Sequence, residues 1–334
     1  MQPLVSVLIP AYNVENFIIE TVESAINQSY RNIEILILDD GSRDNTYNIA
    51  KEYESNKVKV FTQENTGACG ARNNLLSKAQ GDFIQWLDSD DILDRDKIGT
   101  QMKVYQDVDS SKTFLTSSFG TFFHNIKRAK FEKNSLWQDL TPIDWMLNKF
   151  TDNVWINPTA WLVERSLTEK GGKWEEKIAR SGDDDGEYMC RIIKNADLVK
   201  FVGEAKCYYR IGNFGSLNWN SKQALDQLYL SLRLTTEHLL ELENSKRTRE
   251  ASVKFLQYWY SYFDDDDSSA RLKIAQYAKE LGGQLTMPPL KLKYYPLKLI
   301  FGKNFARKSS AYLPQLKARM IKKWDLLSKI GSEN

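Results

Sequence analysis

The sequence predicts an α/β fold in which helices flank a mostly parallel sheet, because strand-like and helical segments alternate along its first 90 residues. Four short apolar runs are typical of buried strands, and they occupy residues 5–9, 33–38, 58–61 and 83–87. Apolar residues at helical spacing lie between them and predict helices over residues 17–28, 46–53 and 67–79. The short connections favour parallel strands joined by right-handed crossovers.

The composition indicates a globular protein with a sizeable core, since 42% of its 334 residues are hydrophobic and 12% are aromatic. Its three cysteines show no CxxC spacing, which favours a reduced chain without a disulfide framework or a zinc site. Two histidines, His124 and His238, lie far apart in the sequence, so a histidine-based metal centre or triad has little support. We expect neither a signal peptide nor a membrane-spanning helix, and the sequence therefore predicts a cytoplasmic protein.

Polar, turn-rich segments follow the four predicted strands, at residues 10–13, 39–42, 64–67 and 88–91. Because ligands bind beyond the carboxyl ends of parallel strands, we expect these segments to line one cleft.

The last of these segments carries three carboxylates, Asp88, Asp90 and Asp91. Such groups repel one another and resist burial unless a cation or a hydrogen-bond donor compensates them. A divalent cation would explain the cluster, since hard cations prefer oxygen ligands. A solvated helix start is the alternative, because Asp favours the N-cap and the first turn of a helix.

An ordinary dinucleotide-binding fold does not match the first strand end. That fold needs a glycine-rich turn through which the backbone approaches a pyrophosphate, whereas this chain has Pro10, Tyr12 and Asn13 there. A phosphate-cradling P-loop is also absent from the sequence. A bound phosphate would therefore be neutralised by a metal held on carboxylates.

Four motifs together resemble the nucleotide-sugar-dependent glycosyltransferases of family 2, which have the GT-A fold. They are VSVLIPAYN at residues 5–13, LDDGSRDNT at 38–46, NTGACGARN at 65–73 and LDSDD at 87–91. The resemblance covers the N-terminal half well and extends more loosely to about residue 220. It implies a GT-A domain over residues 1–220, with a nucleotide-sugar half (1–110) and an acceptor half (111–220), followed by a helical region over 221–334.

The resemblance assigns a nucleotide-binding role to the first two strand ends. Tyr12, beside Pro10, would stack on the nucleobase, and stacking of this kind is worth roughly 1–3 kcal/mol. Asp40 would accept a hydrogen bond from a base N–H, which suits uracil. A plain Asp-Gly turn over residues 39–42 is the alternative.

The same resemblance places three further residues around the diphosphate. Arg72 would contact the nucleotide or its diphosphate, unless it is simply an exposed helix arginine. Asp88 and Asp90 form a D-x-D element, with Asp88 toward the ribose or the metal and Asp90 on a Mn²⁺ or Mg²⁺ ion. Asp91 is a weaker candidate for the same ion.

A second acidic cluster, Asp183 to Asp185, opens a predicted helix. Residues 184–191 align with the acid-Asp-x-Glu…Arg pattern of the family, and Asp185 takes the position of the general base, with Asp184 as the alternative. Repulsion from neighbouring carboxylates would raise the pKa of such a base. Acids favoured by the helix dipole are the purely structural explanation.

Residues 207–213 resemble the family's segment that closes over the diphosphate. Arg210 would act as a clamp on the leaving group. Gly212 stands where histidine is often found, so one ligand of the metal is in doubt; Ser216 and Asn218 are nearby polar candidates.

The middle of the chain, residues 114–174, is predicted to be loop-rich, and it is dense in aromatic residues. We expect most of these to be core residues. In the family this region faces the acceptor, and Trp155, Asn157 and Thr159 are the acceptor-side candidates.

The C-terminal region is predicted to be helical over residues 223–242, 250–263 and 269–281, with a solvated acidic loop at 264–267. Residues 290–334 carry eleven Lys and Arg against two acids, a net charge of +9, whereas the whole chain carries +2. Aliphatic and aromatic residues alternate with lysines over 290–330, which includes a predicted basic helix at 316–330. This pattern favours peripheral attachment to an anionic membrane surface over packing on the domain; nucleic-acid binding is not expected.

The sequence therefore predicts a metal-dependent, inverting glycosyltransferase. Its donor would be a UDP-linked sugar, and its acceptor a saccharide in surface polysaccharide or lipid-linked glycan synthesis. A sugar-phosphate nucleotidyltransferase is one alternative, although such enzymes usually have a glycine-rich first loop. A catalytically dead nucleotide-sugar-binding protein is the other, motivated by Gly212.

Overall fold

The computed structural model describes residues 2–108, 112–179, 181–212, 221–263, 269–290, 292–301 and 325. Within these residues nine strands form one mixed sheet, in the order β3-β2-β1-β4-β8-β6-β9-β5, with β7 paired to β6. The strands are β1 (Val5–Ala11), β2 (Ile33–Asp39), β3 (Val58–Thr62), β4 (Phe83–Trp86), β5 (Ile92–Leu93), β6 (Thr113–Phe122), β7 (Lys130–Phe131), β8 (Leu162–Glu164) and β9 (Leu198–Arg210).

The four strands predicted in the N-terminal part are confirmed, and they pair in parallel. β1 lies at the centre of this part, with β2 on one side and β4 on the other, and β3 pairs with β2. The side chains of β1, β2 and β4 are almost all buried on both faces, as expected for strands covered by helices, whereas β3, at the edge of the sheet, is partly exposed. Their carboxyl ends meet at one edge of the sheet, which is where the polar segments lie.

The prediction that the middle of the chain is loop-rich is wrong. Residues 113–122 and 198–210 form the two longest strands of the described sheet, β6 and β9, which run parallel to each other. β8 joins them to the N-terminal strands through antiparallel pairs with β4 and β6. The strand β6 is buried along nearly its whole length, so its sequence lacks the alternation that would have identified it.

Helices cover the sheet and form the C-terminal region. They are α1 (Ile18–Ile26), α2 (Thr46–Lys51), α3 (Ala68–Lys78), α4 (Lys97–Gln106), α5 (Pro142–Asp152), α6 (Arg165–Gly171), α7 (Asp184–Ile193), α8 (Lys222–Leu242), α9 (Lys246–Trp259) and α10 (Ser269–Glu280). The predicted helices are confirmed with small shifts at their ends. The largest shift is at α9, which begins four residues early because Ser245 and Thr248 form a capping box there.

The expectation that the aromatic residues of the middle segment are core residues is confirmed for most of them. The buried ones include Phe114, Phe119, Phe122, Trp137, Trp145, Trp161 and Trp174. Trp155 differs, because 43% of its surface is exposed. Phe131 of β7 is also exposed, at 39%, so these two aromatic residues of the segment are accessible to a ligand.

The C-terminal region continues as helices α8, α9 and α10, which pack on α5, α7 and one another. No helix among the described residues is long and apolar enough to cross a membrane. The predicted acidic loop at 264–267 lies outside the described residues, as does the predicted basic helix at 316–330 apart from Asp325.

Candidate active site

A cavity of about 410 Å³ opens at the carboxyl edge of the parallel strands. The ends of β1, β2 and β4, the start of α3 and the end of β9 line it. All the residues predicted to bind the nucleotide sugar line this cavity, together with the D-x-D carboxylates: Pro10, Tyr12, Asp40, Arg72, Asp88, Asp90 and Arg210. The fold thus brings together side chains that are 200 positions apart in the sequence.

Tyr12 and Asp40 form the two sides of the cavity at the first strand ends. Tyr12 is 44% exposed, so one face of its ring is open to a ligand. The Asp40 carboxylate is buried and accepts hydrogen bonds from Gln63 Nε2 at 2.7 Å and from the backbone N–H groups of Thr66 and Gly67 at 2.9 and 2.8 Å. These bonds fix the orientation of the carboxylate, and Oδ2 keeps capacity for a further donor.

Arg72, on the buried side of α3, is not an exposed helix arginine. Its guanidinium bridges the two acidic clusters, donating to Asp88 Oδ1 at 3.0 Å and to Asp184 Oδ2 at 2.9 Å. The face of the guanidinium lies 4.4 Å from the ring centroid of Trp174. Arg72 therefore connects the end of β4 to the start of α7.

Asp91 is the fully buried member of the first cluster. Its carboxylate accepts hydrogen bonds from Asn157 Nδ2 at 2.8 Å, Thr159 Oγ1 at 2.7 Å and the backbone N–H of Arg210 at 2.8 Å. Burial, followed by the charges of Asp90 and Asp88, raises the pKa of Asp91. Asp91 thus ties three segments together, and unlike Asp88 and Asp90 it does not line the cavity.

The same bonds determine where two acceptor-side candidates lie. The side chains of Asn157 and Thr159 are buried, and both donate to Asp91. Neither side chain is therefore exposed to a ligand. Trp155 remains accessible, and its ring packs against Phe119 and Tyr209 with centroids 5.1 and 5.3 Å away.

Arg210 lies at the rim of the cavity with its guanidinium largely enclosed. Phe122 and Phe17 flank the guanidinium, with ring centroids 4.4 and 4.9 Å away. Nε donates to the backbone oxygen of Asp90 at 2.8 Å, while another nitrogen donates to Glu20. In this arrangement Arg210 holds the D-x-D turn through the Asp90 carbonyl, and its fork is also bonded to Glu20 and to the carbonyl of Phe123.

The three carboxylates of the second acidic cluster, Asp183 to Asp185, lie in three different environments. Asp184 pairs with Arg72, whereas no Lys or Arg of the described residues lies within ion-pairing distance of Asp185. Burial, followed by the charges of Asp184 and Asp183, raises the pKa of Asp185 to about 7. Burial also raises the pKa of Asp183 to about 6. Asp183 and Asp185 thus both have raised proton affinities, whereas Asp184 is held in the ion pair with Arg72.

The predicted metal ligands, Asp88 and Asp90, fit a magnesium-type ion by their chemistry. Both are hard oxygen donors that line the cavity, and the raised pKa of Asp91 reflects their negative charge. The described residues contain no group of three or more His, Cys, Asp or Glu side chains arranged to hold a metal. Such an ion would therefore complete its coordination with water and phosphate oxygens. Gly212 ends the described part of this segment, and Ser216 and Asn218 lie outside it.

The comparison with known families decides the classification. The family model described as glycosyl transferase family 2 matches residues 6–170. Glycosyltransferase GlyG of Streptococcus pneumoniae is 34% identical over 224 residues, which cover 63% of this chain and 71% of GlyG.

The chain belongs to glycosyl transferase family 2. The matched residues contain the cavity from Pro10 to Asp91, whereas Asp185, Arg210 and helices α7 to α10 lie beyond them.

Two other relatives of this transferase match over shorter spans. The UDP-Glc:alpha-D-GlcNAc-diphosphoundecaprenol beta-1,3-glucosyltransferase WfgD of Escherichia coli is 33% identical over 165 residues, covering 49% of this chain and 61% of WfgD. The putative teichuronic acid biosynthesis glycosyltransferase TuaG of Bacillus subtilis is 42% identical over 105 residues, covering 30% of this chain and 42% of TuaG.

The fold also has a counterpart among solved structures. TarS of S. aureus, residues 1–349, superposes with a TM-score of 0.65 at 18% identity, covering 92% of this chain and 91% of that one. A structure of the same TarS fragment in complex with UDP-GlcNAc superposes with a TM-score of 0.64. The transferase therefore shares its α/β fold, including the C-terminal helices, with TarS, and the predicted GT-A fold is confirmed.

Three residues of the site were not singled out from the sequence. Tyr209 lines the cavity, Trp174 lies on Arg72, and Glu20 holds Arg210. Tyr209 could have been identified from the sequence, because it is the neighbour of the predicted site residue Arg210. Glu20 lies 190 positions from Arg210, so no local pattern connects the two.

Proposed function

We propose that this transferase moves a sugar from a UDP-sugar to a saccharide hydroxyl, with inversion at the anomeric carbon. The observation that carries the proposal is an arrangement of three groups of side chains. Tyr12 and the two D-x-D carboxylates line the cavity, and so does Arg72, which pairs with Asp184 at the start of α7. Asp185, the next residue, does not itself line the cavity, and it has a raised pKa. The UDP-GlcNAc complex of TarS and the UDP-Glc specificity in the name of WfgD support UDP as the nucleotide.

The donor would lie with its base on Tyr12 and its base N–H toward Asp40 Oδ2. Arg72 would face the diphosphate while it stays anchored on Asp88 and Asp184. Asp88 and Asp90 would hold a Mn²⁺ or Mg²⁺ ion, which stabilises the negative charge of the departing diphosphate. Arg210 keeps the Asp90 turn in place through the Asp90 carbonyl.

Asp185 would take the proton from the acceptor hydroxyl as that oxygen attacks the anomeric carbon. A pKa of about 7 leaves a large deprotonated fraction at neutral pH while keeping the carboxylate basic enough to accept the proton. Attack from the face opposite the diphosphate inverts the configuration. Asp184 is less suited to this role, because its Oδ2 is committed to Arg72.

The acceptor would approach along the exposed aromatic surface formed by Trp155 and Tyr209, whose rings are in edge contact. Tyr209 also lines the donor cavity, so this surface is continuous with it. Aromatic faces suit the apolar C–H edges of sugar rings. The names of WfgD and TuaG point to an acceptor in lipid-linked glycan or surface polysaccharide synthesis.

Release of UDP from a panel of UDP-, GDP- and dTDP-sugars, with Mn²⁺ or Mg²⁺ present, tests the proposal. We expect slow release from one UDP-sugar in the absence of acceptor, lost with EDTA and in Asp90→Ala. Binding without any release would favour a catalytically dead protein. Release of pyrophosphate from UTP and a sugar phosphate would favour a nucleotidyltransferase. Binding of no nucleotide sugar would overturn the enzyme assignment made here.

The basic tail, residues 290–330, is proposed to attach the transferase to an anionic membrane surface. Leu292, Leu299 and Ile300 are 83%, 84% and 70% exposed, and lysines at 293 and 298 lie beside them. Exposed aliphatic side chains interleaved with lysines suit the interface of a bilayer, where each basic residue contributes about 1 kcal/mol. Asp325 differs, because it is buried and accepts from the backbone N–H groups of His124 and Asn125 at 2.8 and 2.9 Å. Tyr294 is buried as well, so two described residues of the tail are packed on the body.

Co-sedimentation with phosphatidylglycerol-containing vesicles and with neutral vesicles tests the tail. We expect binding to the anionic vesicles that weakens with salt and is lost in a Leu299→Asp/Ile300→Asp double variant. Leu272→Asp, on α10 and 65% exposed, is the matched control and should leave binding unchanged. Equal binding by the double variant and the wild type would leave packing as the explanation for the tail.

A further inference from the structure

Helix α8 lies outside the residues matched by the family model, and it carries a buried histidine that faces α7. The Nε2 atom of His238 lies 2.9 Å from Glu187 Oε1, and Nδ1 lies 3.1 Å from Lys194 Nζ. Glu187 occupies the first turn of α7, two residues after Asp185. His238 therefore contacts the helix that carries the proposed base.

The hydrogen-bond partners determine the tautomer of His238. An ammonium group has donors only, so Nδ1 must accept from Lys194 and carries no proton. The proton of the neutral ring is then on Nε2, which donates to Glu187. Lys194 is held in turn by Glu241 of α8. Each polar atom of the ring has a partner, and the imidazole connects α7 and α8 in one defined orientation.

Glu187 also connects α7 to the loop that precedes this helix. Its carboxylate pairs with Arg191, whose Nη2 donates to Oε2 at 3.0 Å. Nη1 of Arg191 donates to the carbonyls of Gly171 and Lys173 at 2.8 and 2.7 Å. The loop and the first turn of α7 are thereby held together around one buried carboxylate.

The chain of contacts continues to the donor cavity. Tyr188, which lies against Arg191, stacks on Trp174 with ring centroids 3.9 Å apart. Trp174 in turn lies on the guanidinium of Arg72. Arg72 also has two ion pairs of its own, whereas Asp185 has no such anchor among the described residues. A disturbance at Glu187 would therefore displace Asp185 more than Arg72.

We propose that His238 is a positioning residue of the transferase: it orients Glu187 and so fixes the first turn of α7 with the general base Asp185. This inference rests on the proposed function of Asp185. His238 touches neither substrate nor reacting atoms and acts entirely through Glu187. A displacement of about 1 Å in a catalytic group lowers the rate by up to about 10²-fold, so loss of this contact is expected to lower kcat about tenfold.

Three variants test the inference, with kcat, donor KM and thermal unfolding measured for each. His238→Phe fills the space but removes both hydrogen bonds; we expect kcat about tenfold lower and donor KM changed less than threefold. His238→Gln keeps a donor for Glu187 and an acceptor for Lys194, and should recover most of kcat. Thr236→Val is the control, since this buried hydroxyl on α8 donates only within its own helix, to the Leu232 carbonyl at 2.8 Å.

The outcomes separate this inference from the proposed function. If the wild type turns over and His238→Phe lowers the unfolding temperature without changing kcat, the residue is structural and the inference is wrong. A Gln variant as slow as the Phe variant would also overturn it, because the hydrogen bonds would then not matter. If the wild type releases UDP from no donor, the proposed function fails, and the inference fails with it.

Discussion

Two acidic clusters in this chain each contain three aspartates, but the side chains and backbone groups around them differ. Each places three aspartates within four positions, at residues 88–91 and at 183–185. In the first cluster one member is buried under three hydrogen bonds and the other two line the donor cavity. In the second, one member pairs with Arg72 and its neighbour, lacking a cation partner among the described residues, has a raised pKa.

Arg72 explains much of the difference. It pairs with one carboxylate of each cluster, Asp88 and Asp184, and so links the two clusters. The remaining members differ in the donors around them. The comparison teaches that an acidic run has no single function, because each carboxylate takes its role from the partner that the fold brings to it.

The largest expected effect comes from removing the base. Asp185→Asn should lower kcat by about 10²–10⁴-fold, the range for loss of a general base, with UDP binding unchanged. Single-turnover transfer and UDP titration would measure the two quantities. Asp184→Asn is the matched control: it removes one ion pair of Arg72 and should raise donor KM more than it lowers kcat. Retained turnover in Asp185→Asn would move the role of base to Asp184.

A smaller loss is expected when the bridge between the clusters is removed. Arg72→Met should raise donor KM roughly 10- to 100-fold, since a charge-assisted hydrogen bond contributes about 1.5–3 kcal/mol. Arg72→Lys keeps the charge but lacks the planar fork that reaches two carboxylates, so it should recover only part of the affinity. Full recovery in the Lys variant would mean that charge alone, and not the bridge, binds the donor.

Two members of the first cluster, Asp91 and Asp90, should respond differently to substitution by alanine. Asp91→Ala leaves the buried donors of Asn157 and Thr159 unpaired, and each unsatisfied group costs about 1–3 kcal/mol, so the unfolding temperature should fall by several degrees. Asp90→Ala, at the cavity, should abolish metal-dependent activity and leave the unfolding temperature nearly unchanged. Calorimetry on both variants checks this; equal unfolding temperatures would contradict the structural role of Asp91.

The smallest effect is expected in the pH profile. Because the deprotonated form of Asp185 is the active one, kcat should rise with pH and level off above its pKa of about 7. Asp183→Asn removes one of the charges that raise this pKa, so the midpoint should move to lower pH by a fraction of a unit. An unchanged midpoint would show that the charge of Asp183 does not contribute to the raised pKa.

The raised pKa of Asp185 also affects the free energy of unfolding. The folded pKa of Asp185 lies above the unfolded value, so the folded state favours the protonated carboxyl. The free energy of unfolding should therefore decrease as pH rises between about 4 and 7. Asp185→Asn removes this effect and should be more stable than the wild type at pH values above 7, although it is inactive.

Much of the fold could be predicted because its signals are local. The strands β1 to β4 are short apolar runs, and the helices between them carry apolar residues at regular spacing. The second half of the sheet was missed because β6 is buried on both faces and so shows no alternation, and because its neighbours in the sheet, β8 and β9, are distant in sequence. Most of its aromatic residues were correctly expected in the core, and Phe131 and Trp155 are the exposed exceptions.

The sequence by itself determined which residues meet at the cavity, since strand ends in a parallel sheet converge whatever lies between them. Only the tertiary structure decided what each carboxylate does. Asp184 meets Arg72 across 112 positions, and Asp91 meets the backbone of Arg210 across 119. Aspartates in one run are chemically identical, and burial and distant partners alone distinguish a carboxylate that lines the cavity, one that is a buried structural anchor and one whose pKa is raised.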